Sequence, residues 1–177
     1  IKHGLIADKA YYEELKDSNF KTPGTDDVLR SVEIKNHVVT TDPLEQNLRK
    51  ILNYGHTIGH AVESYALSND AKPLTHGEAI AIGMICEAFL SQRNCNLSAA
   101  ELADITAYIS SIYPAYTIPT DRFDSLLTLM KSDKKNEHGQ ILFSLLNSIG
   151  QCEYNCKISE KDILDSLKYY NACYSKA

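Results

Sequence analysis

Three of the chain's six histidines, His56, His60 and His76, fall within a stretch of 21 residues. His56 and His60 stand four apart, so on a helix both project from the same face, and Glu63 lies on that face too. The opposite face carries Ile58, Ala61, Val62 and Tyr65, an apolar stripe that can pack while the histidine side is kept for something else. Gly55 and Gly59 fall in the same segment. Each glycine in a helix costs about 1 kcal/mol relative to alanine, so the pair implies that a backbone or a ligand comes close there. His76 opens the next predicted helix beside Gly77, and a helical hairpin brings it against His56 or His60. Neutral imidazoles from two helices, joined by a carboxylate, form a zinc-type site with an open coordination position. The pair is not HExxH, because Thr57 stands where a metalloprotease needs its glutamate.

Cations surround this cluster in sequence. Lys35 and Arg49 precede it, Asn53 follows Arg49 by one turn, and Asp133-Lys134-Lys135-Asn136 forms a short basic loop further on. Guanidinium and ammonium groups suit a carboxylate or a phosphate, although by spacing alone each also reads as a solvated surface charge. Glu45 and Glu78 occupy capping-box positions, and Glu63 carries no assignment. His3, His37 and His138 read as ordinary side chains.

The elements that position these groups are mainly helical. Helices are predicted over 4–19, 26–40, a short segment from Asp42-Pro43 to Leu52, 53–67, His76 to about Arg93, Ser98 to Ile112, Thr120 to Lys131, and from Ser159 onward. Ser68 to Pro73 reads as a polar loop. Gly139 to Ile149 and Cys152 to Ile158, separated by Gly150, read as one short hairpin. The fold class is a mainly α helical bundle with at most a small β-hairpin near the C-terminus. The helix after His76 is apolar almost all round, which marks the buried centre of a bundle.

The 177 residues suit one domain, taken as 1–177, with 44% apolar and 23% charged residues. The 18 basic and 23 acidic residues give a net charge of −5, which argues against a broad nucleic-acid surface or an anionic-membrane anchor. The longest apolar run, Ala79 to Cys86, is far short of the about 20 residues of a spanning helix. Five cysteines, Cys86, Cys95, Cys152, Cys156 and Cys173, read as free thiols of a cytoplasmic protein. Cys152 and Cys156 can face one metal, but no second pair completes a zinc-ribbon spacing. The chain begins at Ile1, and its methionines are Met84 and Met130, so it is expected to be a piece of something longer or to have lost a leader.

The run Leu48-Arg49-Lys50-Ile51-Leu52-Asn53-Tyr54-Gly55-His56-Thr57-Ile58-Gly59-His60-Ala61-Val62-Glu63 resembles the signature of the 3-dehydroquinate synthase family. His76-Gly77-Glu78-Ala79-Ile80-Ala81-Ile82-Gly83-Met84 resembles its second signature, and Ile1-Lys2-His3-Gly4-Leu5-Ile6 the opening of its helical domain. The resemblance implies a shikimate-pathway lyase that converts 3-deoxy-D-arabino-heptulosonate 7-phosphate to 3-dehydroquinate and phosphate, using NAD and a divalent metal, usually zinc. By motif position His56 and His76 match two of three metal ligands, His60 the proton-transfer histidine, and Glu45 the nearby acid–base residue. Lys2, Lys35, Arg49 and Asn53 match substrate contacts, with Arg49 and Lys35 on the carboxylate, and one of Lys134 and Lys135 matches a further contact.

The third metal ligand of the family is a glutamate three residues before Lys2. The glycine-rich NAD site belongs to an N-terminal α/β domain, and this chain has no GxGxxG-like run. The chain is therefore expected to be the C-terminal metal- and substrate-binding domain, silent on its own and weak in metal binding, of a protein that is homodimeric at full length. The rival readings are another NAD- and metal-dependent sugar-phosphate cyclase, an iron-type polyol dehydrogenase, or a helical binding module without chemistry. A helical metal phosphohydrolase would need His-Asp pairs, which do not occur here.

Overall fold

A computed structural model describes residues 1–18, 23–132 and 140–174. The elements are α1 (Lys2–Ala7), α2 (Lys9–Asp17), α3 (Thr25–Thr41), a 3-10 segment (Leu48–Asn53), α4 (His56–Asn69), α5 (His76–Asn94) and α6 (Ala99–Ile112). A 3-10 turn (Thr120–Arg122) leads into α7 (Phe123–Ser132), followed by β1 (Leu142–Ser148), β2 (Gln151–Lys157) and α8 (Glu160–Tyr174). The architecture is mainly α with one small antiparallel hairpin near the C-terminus, as the pattern predicts. No helix among the described residues is long and apolar enough to cross a membrane.

α5 is the centre of the bundle. Every residue from Ala79 to Ala88 is buried, and the helix packs against α4, α6, α8 and β1. Its start is local chemistry: Thr75 Oγ1 accepts from Glu78 N–H while Glu78 Oε2 accepts from Thr75 N–H, the reciprocal capping box. Ser98 and Glu101 do the same for α6.

The single helix expected over 4–19 is two helices, because Asp8 is extended. Its carboxylate caps α2 through Tyr11 N–H at 3.0 Å and receives Arg30 Nη2 at 2.8 Å, so a partner on α3 rewards the break. The helix expected from Asp42 does not form. Asp42 instead uses both carboxylate oxygens on the backbone N–H groups of Gln46, Asn47 and Arg49, which curls the chain into a turn ahead of the 3-10 segment. α4 begins at His56 rather than at 53, and it runs to Asn69, shortening the predicted loop.

The contact of α4 with α5 is backbone on backbone. A Cβ at Gly83 would stand 1.9 Å from Gly55 O and 2.8 Å from Gly59 N, and one at Gly59 would stand 3.0 Å from Ala79 O. The close approach inferred from Gly55 and Gly59 is thus that of a neighbouring helix. Gly83→Ala forces the helices apart and should cost at least the roughly 1–3 kcal/mol of an overpacked core. Urea unfolding checks this; a midpoint shift of zero would contradict it.

Candidate metal and anion site

α4 needs an unusual start. Gly55, its first flanking residue, has φ +81°, a conformation open to glycine, and it has no side chain with which to cap. The cap comes from α5: fully buried Glu87 accepts from Gly55 N–H at 2.6 Å through Oε2 and from Ile58 N–H at 3.3 Å through Oε1. Tyr54 O–H donates to Met84 O at 2.9 Å beside it. The first turn of α4 is therefore clamped to α5 at both its backbone and its approach.

That clamp sets the histidines. His56 is the first residue of α4, His60 follows one turn later, and His76 is the first residue of α5. Their ring centroids lie 5.2 Å (His56–His60), 5.7 Å (His56–His76) and 5.8 Å (His60–His76) apart. One ring nitrogen from each falls within 4.8 Å of the others, so all three face one point. His56 Nδ1 lies 3.0 Å from Tyr54 O, an acceptor only, so Nδ1 carries the proton and Nε2 keeps its lone pair. His76 Nδ1 lies 3.2 Å from Glu63 Oε2, which orients that ring in the same way and gives Glu63 a task. Two imidazoles with hydrogen-bonded outer nitrogens, His56 and His76, suit a zinc-type cation, and His60 stands beside them.

The predicted anion contacts converge beside them. Lys2, Lys35, Glu45, Arg49, Asn53 and His56 line one cavity of about 440 Å³. Lys2 and His56 also line an adjoining cleft of about 230 Å³ that reaches His76. Lys2 is the hinge between the two: its Nζ donates to Leu52 O at 2.7 Å and lies 3.4 Å from His56 Nε2. Glu45 is held at φ +55° by the Asp42 turn; its Oε1 accepts from Asn53 Nδ2 at 2.9 Å, and Oε2 lies 3.8 Å from Arg49 Nε. Arg49 Nη1 donates to Pro43 O at 2.9 Å, which aims the guanidinium. Three cations against one carboxylate make the cavity locally positive on a chain of net charge −5. Lys134 and Lys135 lie outside the described residues.

Sequence reasoning missed two residues here. His3 lines the cavity and meets Ser31 Oγ at 2.7 Å. Burial, reinforced by the charge of Lys2, pushes its imidazole down to about 4, which makes it a neutral polar group in a cationic wall. Its neighbour Lys2 was the only hint. Glu87 left no local signal beyond being an acid in the apolar middle of α5, since its partners lie about thirty residues away.

Fold and site together define a helical domain that gathers three imidazoles at the edge of a cation-lined cavity. The sequence profile described as 3-dehydroquinate synthase C-terminal matches residues 1–136, and the chain belongs to that family. It is 38% identical over 178 residues to the 3-dehydroquinate synthase of Parabacteroides distasonis, covering 98% of this chain and 50% of that protein. It is 39% identical over 170 residues to that of Thermodesulfovibrio yellowstonii, covering 92% and 46%. The chain thus spans about half the length of the curated relatives it matches. Among solved structures it resembles ValA, a 2-epi-5-epi-valiolone synthase from Streptomyces hygroscopicus subsp. jinggangensis with NAD+ and Zn2+ bound. The TM-score is 0.74 at 21% identity, over 97% of this chain and 49% of that one. It also resembles 2-deoxy-scyllo-inosose synthase complexed with carbaglucose-6-phosphate, NAD+ and Co2+, with a TM-score of 0.71 at 23% identity over 95% and 48%. These two likenesses concern the fold.

Glu87 makes the site sensitive to pH. Burial lifts its carboxyl to about 8, against the pull of the Gly55 and Ile58 N–H groups and of Lys2. A carboxyl raised on folding holds its proton longer in the native state than in the unfolded chain. Its contribution to stability is complete below the unfolded value near 4.5 and is lost as pH rises through about 8. Between pH 5 and 8 the loss should be roughly 3–5 kcal/mol. Glu87→Gln should flatten that slope in metal-free unfolding experiments, and identical slopes for the two proteins would contradict the assignment.

Proposed function

We propose that this chain is the metal- and substrate-binding part of a 3-dehydroquinate synthase, acting on 3-deoxy-D-arabino-heptulosonate 7-phosphate to give 3-dehydroquinate and phosphate. The observation that carries the reading is the convergence of Lys2, Lys35, Arg49, Asn53 and Glu45 on the cavity that ends at His56. A polyol dehydrogenase has no use for three cations there, and a cyclase whose substrate lacks a carboxylate has less use for Arg49 and Lys35.

In this reading Arg49 and Lys35 hold the substrate carboxylate, and Arg49 presents its fork with the aim set by Pro43 O. Lys2 and Asn53 position the substrate between the carboxylate pocket and the histidines, and one of Lys134 and Lys135 adds a further contact. His56 and His76 would hold a divalent metal, zinc, together with a carboxylate from the chain upstream; the metal supplies Lewis-acid polarisation of the substrate's oxygen. NAD, held mainly by a domain outside this chain, supplies the reversible hydride transfer. His60 moves a proton at the reacting centre, and Glu45, fixed by Asn53, serves as acid–base partner. The same reading makes the isolated 177-residue chain silent, and places the full-length protein in the cytoplasm as a homodimer.

Phosphate release from this substrate by the full-length protein tests the proposal, with carboxylate-free sugar phosphates as comparison. Arg49→Ala should raise KM about 10–100-fold, the worth of a charged hydrogen bond, and His60→Ala should lower kcat about 100-fold or more. Equal turnover of a carboxylate-free sugar phosphate, or no effect of Arg49→Ala, would overturn it. Zinc should shift the side-chain NMR signals of His56 and His76, and His56→Ala should abolish the shift at His76.

A further inference from the structure

A second group of ligand atoms lies at the other end of α5. Cys95 ends that helix, and Glu153 and Cys156 stand on β2. The two sulfur atoms and a carboxylate oxygen of Glu153 all lie within 4.8 Å of one another. Cys95 and Cys156 are half-buried and Glu153 is exposed, so the group opens to solvent on one side. His76 begins α5 and Cys95 follows its last residue; at 1.5 Å per residue the two clusters are about 28 Å apart along the axis.

The hairpin brings the β2 pair together by an irregularity. Residues three apart on a regular strand point to opposite faces. Between the pairs Phe143↔Cys156 and Leu145↔Glu153, however, β2 carries one residue more than β1, and Asn155 there has φ +59°. Across this bulge the ligand atoms of Glu153 and Cys156 both come within 4.8 Å of Cys95 Sγ. Outer hydrogen bonds join β2 to β1 and to the residue after Cys95: Asn147 Nδ2 on β1 donates to Glu153 Oε1, and Asn96 Nδ2 approaches Asn147 Oδ1 at 3.5 Å.

We propose that Cys95, Cys156 and Glu153 form a binding site for a thiophilic divalent cation of the zinc, cobalt or cadmium type, distinct from the histidine cluster. Two thiolates and a carboxylate with one open position are a tetrahedral ligand set for such ions. A dication displaces the thiol protons and cancels the repulsion that three anionic ligands within 4.8 Å of one another would otherwise create, as metal binding to thiols requires. Bound there, it ties the end of α5 to the hairpin.

Cobalt is the probe, because sulfur-to-cobalt charge transfer in the near ultraviolet reports thiolate ligation and histidine ligation does not produce it. The reduced protein with its complete chain should develop this absorption, and His56→Ala should keep it in full. Cys95→Ser and Cys156→Ser should each remove most of it, the double variant all of it, and Glu153→Gln should weaken cobalt binding about 10-fold or more. Circular dichroism of the half-buried serine variants verifies their fold. Absorption that persists in the double variant would overturn the site. So would its absence from protein whose thiols are shown to be free, or a Cys95–Cys156 disulfide that forms in air while the reduced protein binds no cobalt.

Discussion

Where α4 meets α5 the helices touch through their backbones, and there is no room for a single methyl group at Gly83. Side chains usually keep packed helices 8–10 Å apart. Removing them at Gly55, Gly59 and Gly83 lets the start of α4 sink against the first turns of α5. That depth brings His76, on one helix, within ligand distance of His56 and His60 on the other. It also brings the N–H groups at the head of α4 within reach of Glu87, so the cap is supplied across the contact and not by the local chain. The contact thus replaces two things that a helix normally secures from its own sequence, a spaced partner and a capping side chain. In return the three rings hold relative positions that neither helix alone could fix.

How much of this was legible in the sequence depends on how local each cause is. The starts of α5 and α6 were legible because Thr75 with Glu78, and Ser98 with Glu101, complete their hydrogen bonds within four residues. The pairing of His56 with His60 was legible for the same reason. Asp42 looked like a cap because Asp-Pro-x-Glu suits a helix start, yet its carboxylate reaches as far as Arg49 N–H and builds a turn. Asp8 breaks a run that reads as one helix because Arg30, on a different helix, rewards the break. Gly55 and Gly59 announced a close approach without saying what approaches. Glu87 and His3 were out of reach, since a buried acid or a cavity-wall histidine becomes meaningful only once distant elements are placed around it.

The cation-lined cavity shows the same division. Lys35, Arg49 and Asn53 each read, by spacing alone, more readily as surface residues than as ligands, and only the motif resemblance favoured the second use. The fold brings them together, because α1, α3, the Asp42 turn and the 3-10 segment all contribute to one wall. Glu45 is the telling member. Its left-handed backbone is a cost that a solvent-exposed glutamate has no reason to bear, and the Asp42 turn and Asn53 hold it in place. Strain of this kind persists where a side chain must be delivered to a set position, and here that position faces cations that balance its charge.

α5 carries both features of interest because it is the element with the least freedom. Buried on almost every side, it cannot tilt or slide without disturbing α4, α6, α8 and β1 together. Groups attached at its two ends therefore inherit a fixed separation, which is why His76 and Cys95 meet their partners from α4 and β2 without flexible arms. The partners differ in kind. At the first end the second helix is locked by a buried acid and by missing side chains; at the other a bulged hairpin supplies the ligands through one extra residue. A rigid spine with adaptable neighbours gives each end its own chemistry: ring nitrogens beside a cationic cavity at one, thiols and a carboxylate at the other. A change at either end should reach the other only through the spine, so a variant that alters α5 itself, and not its partners, is the one that couples them.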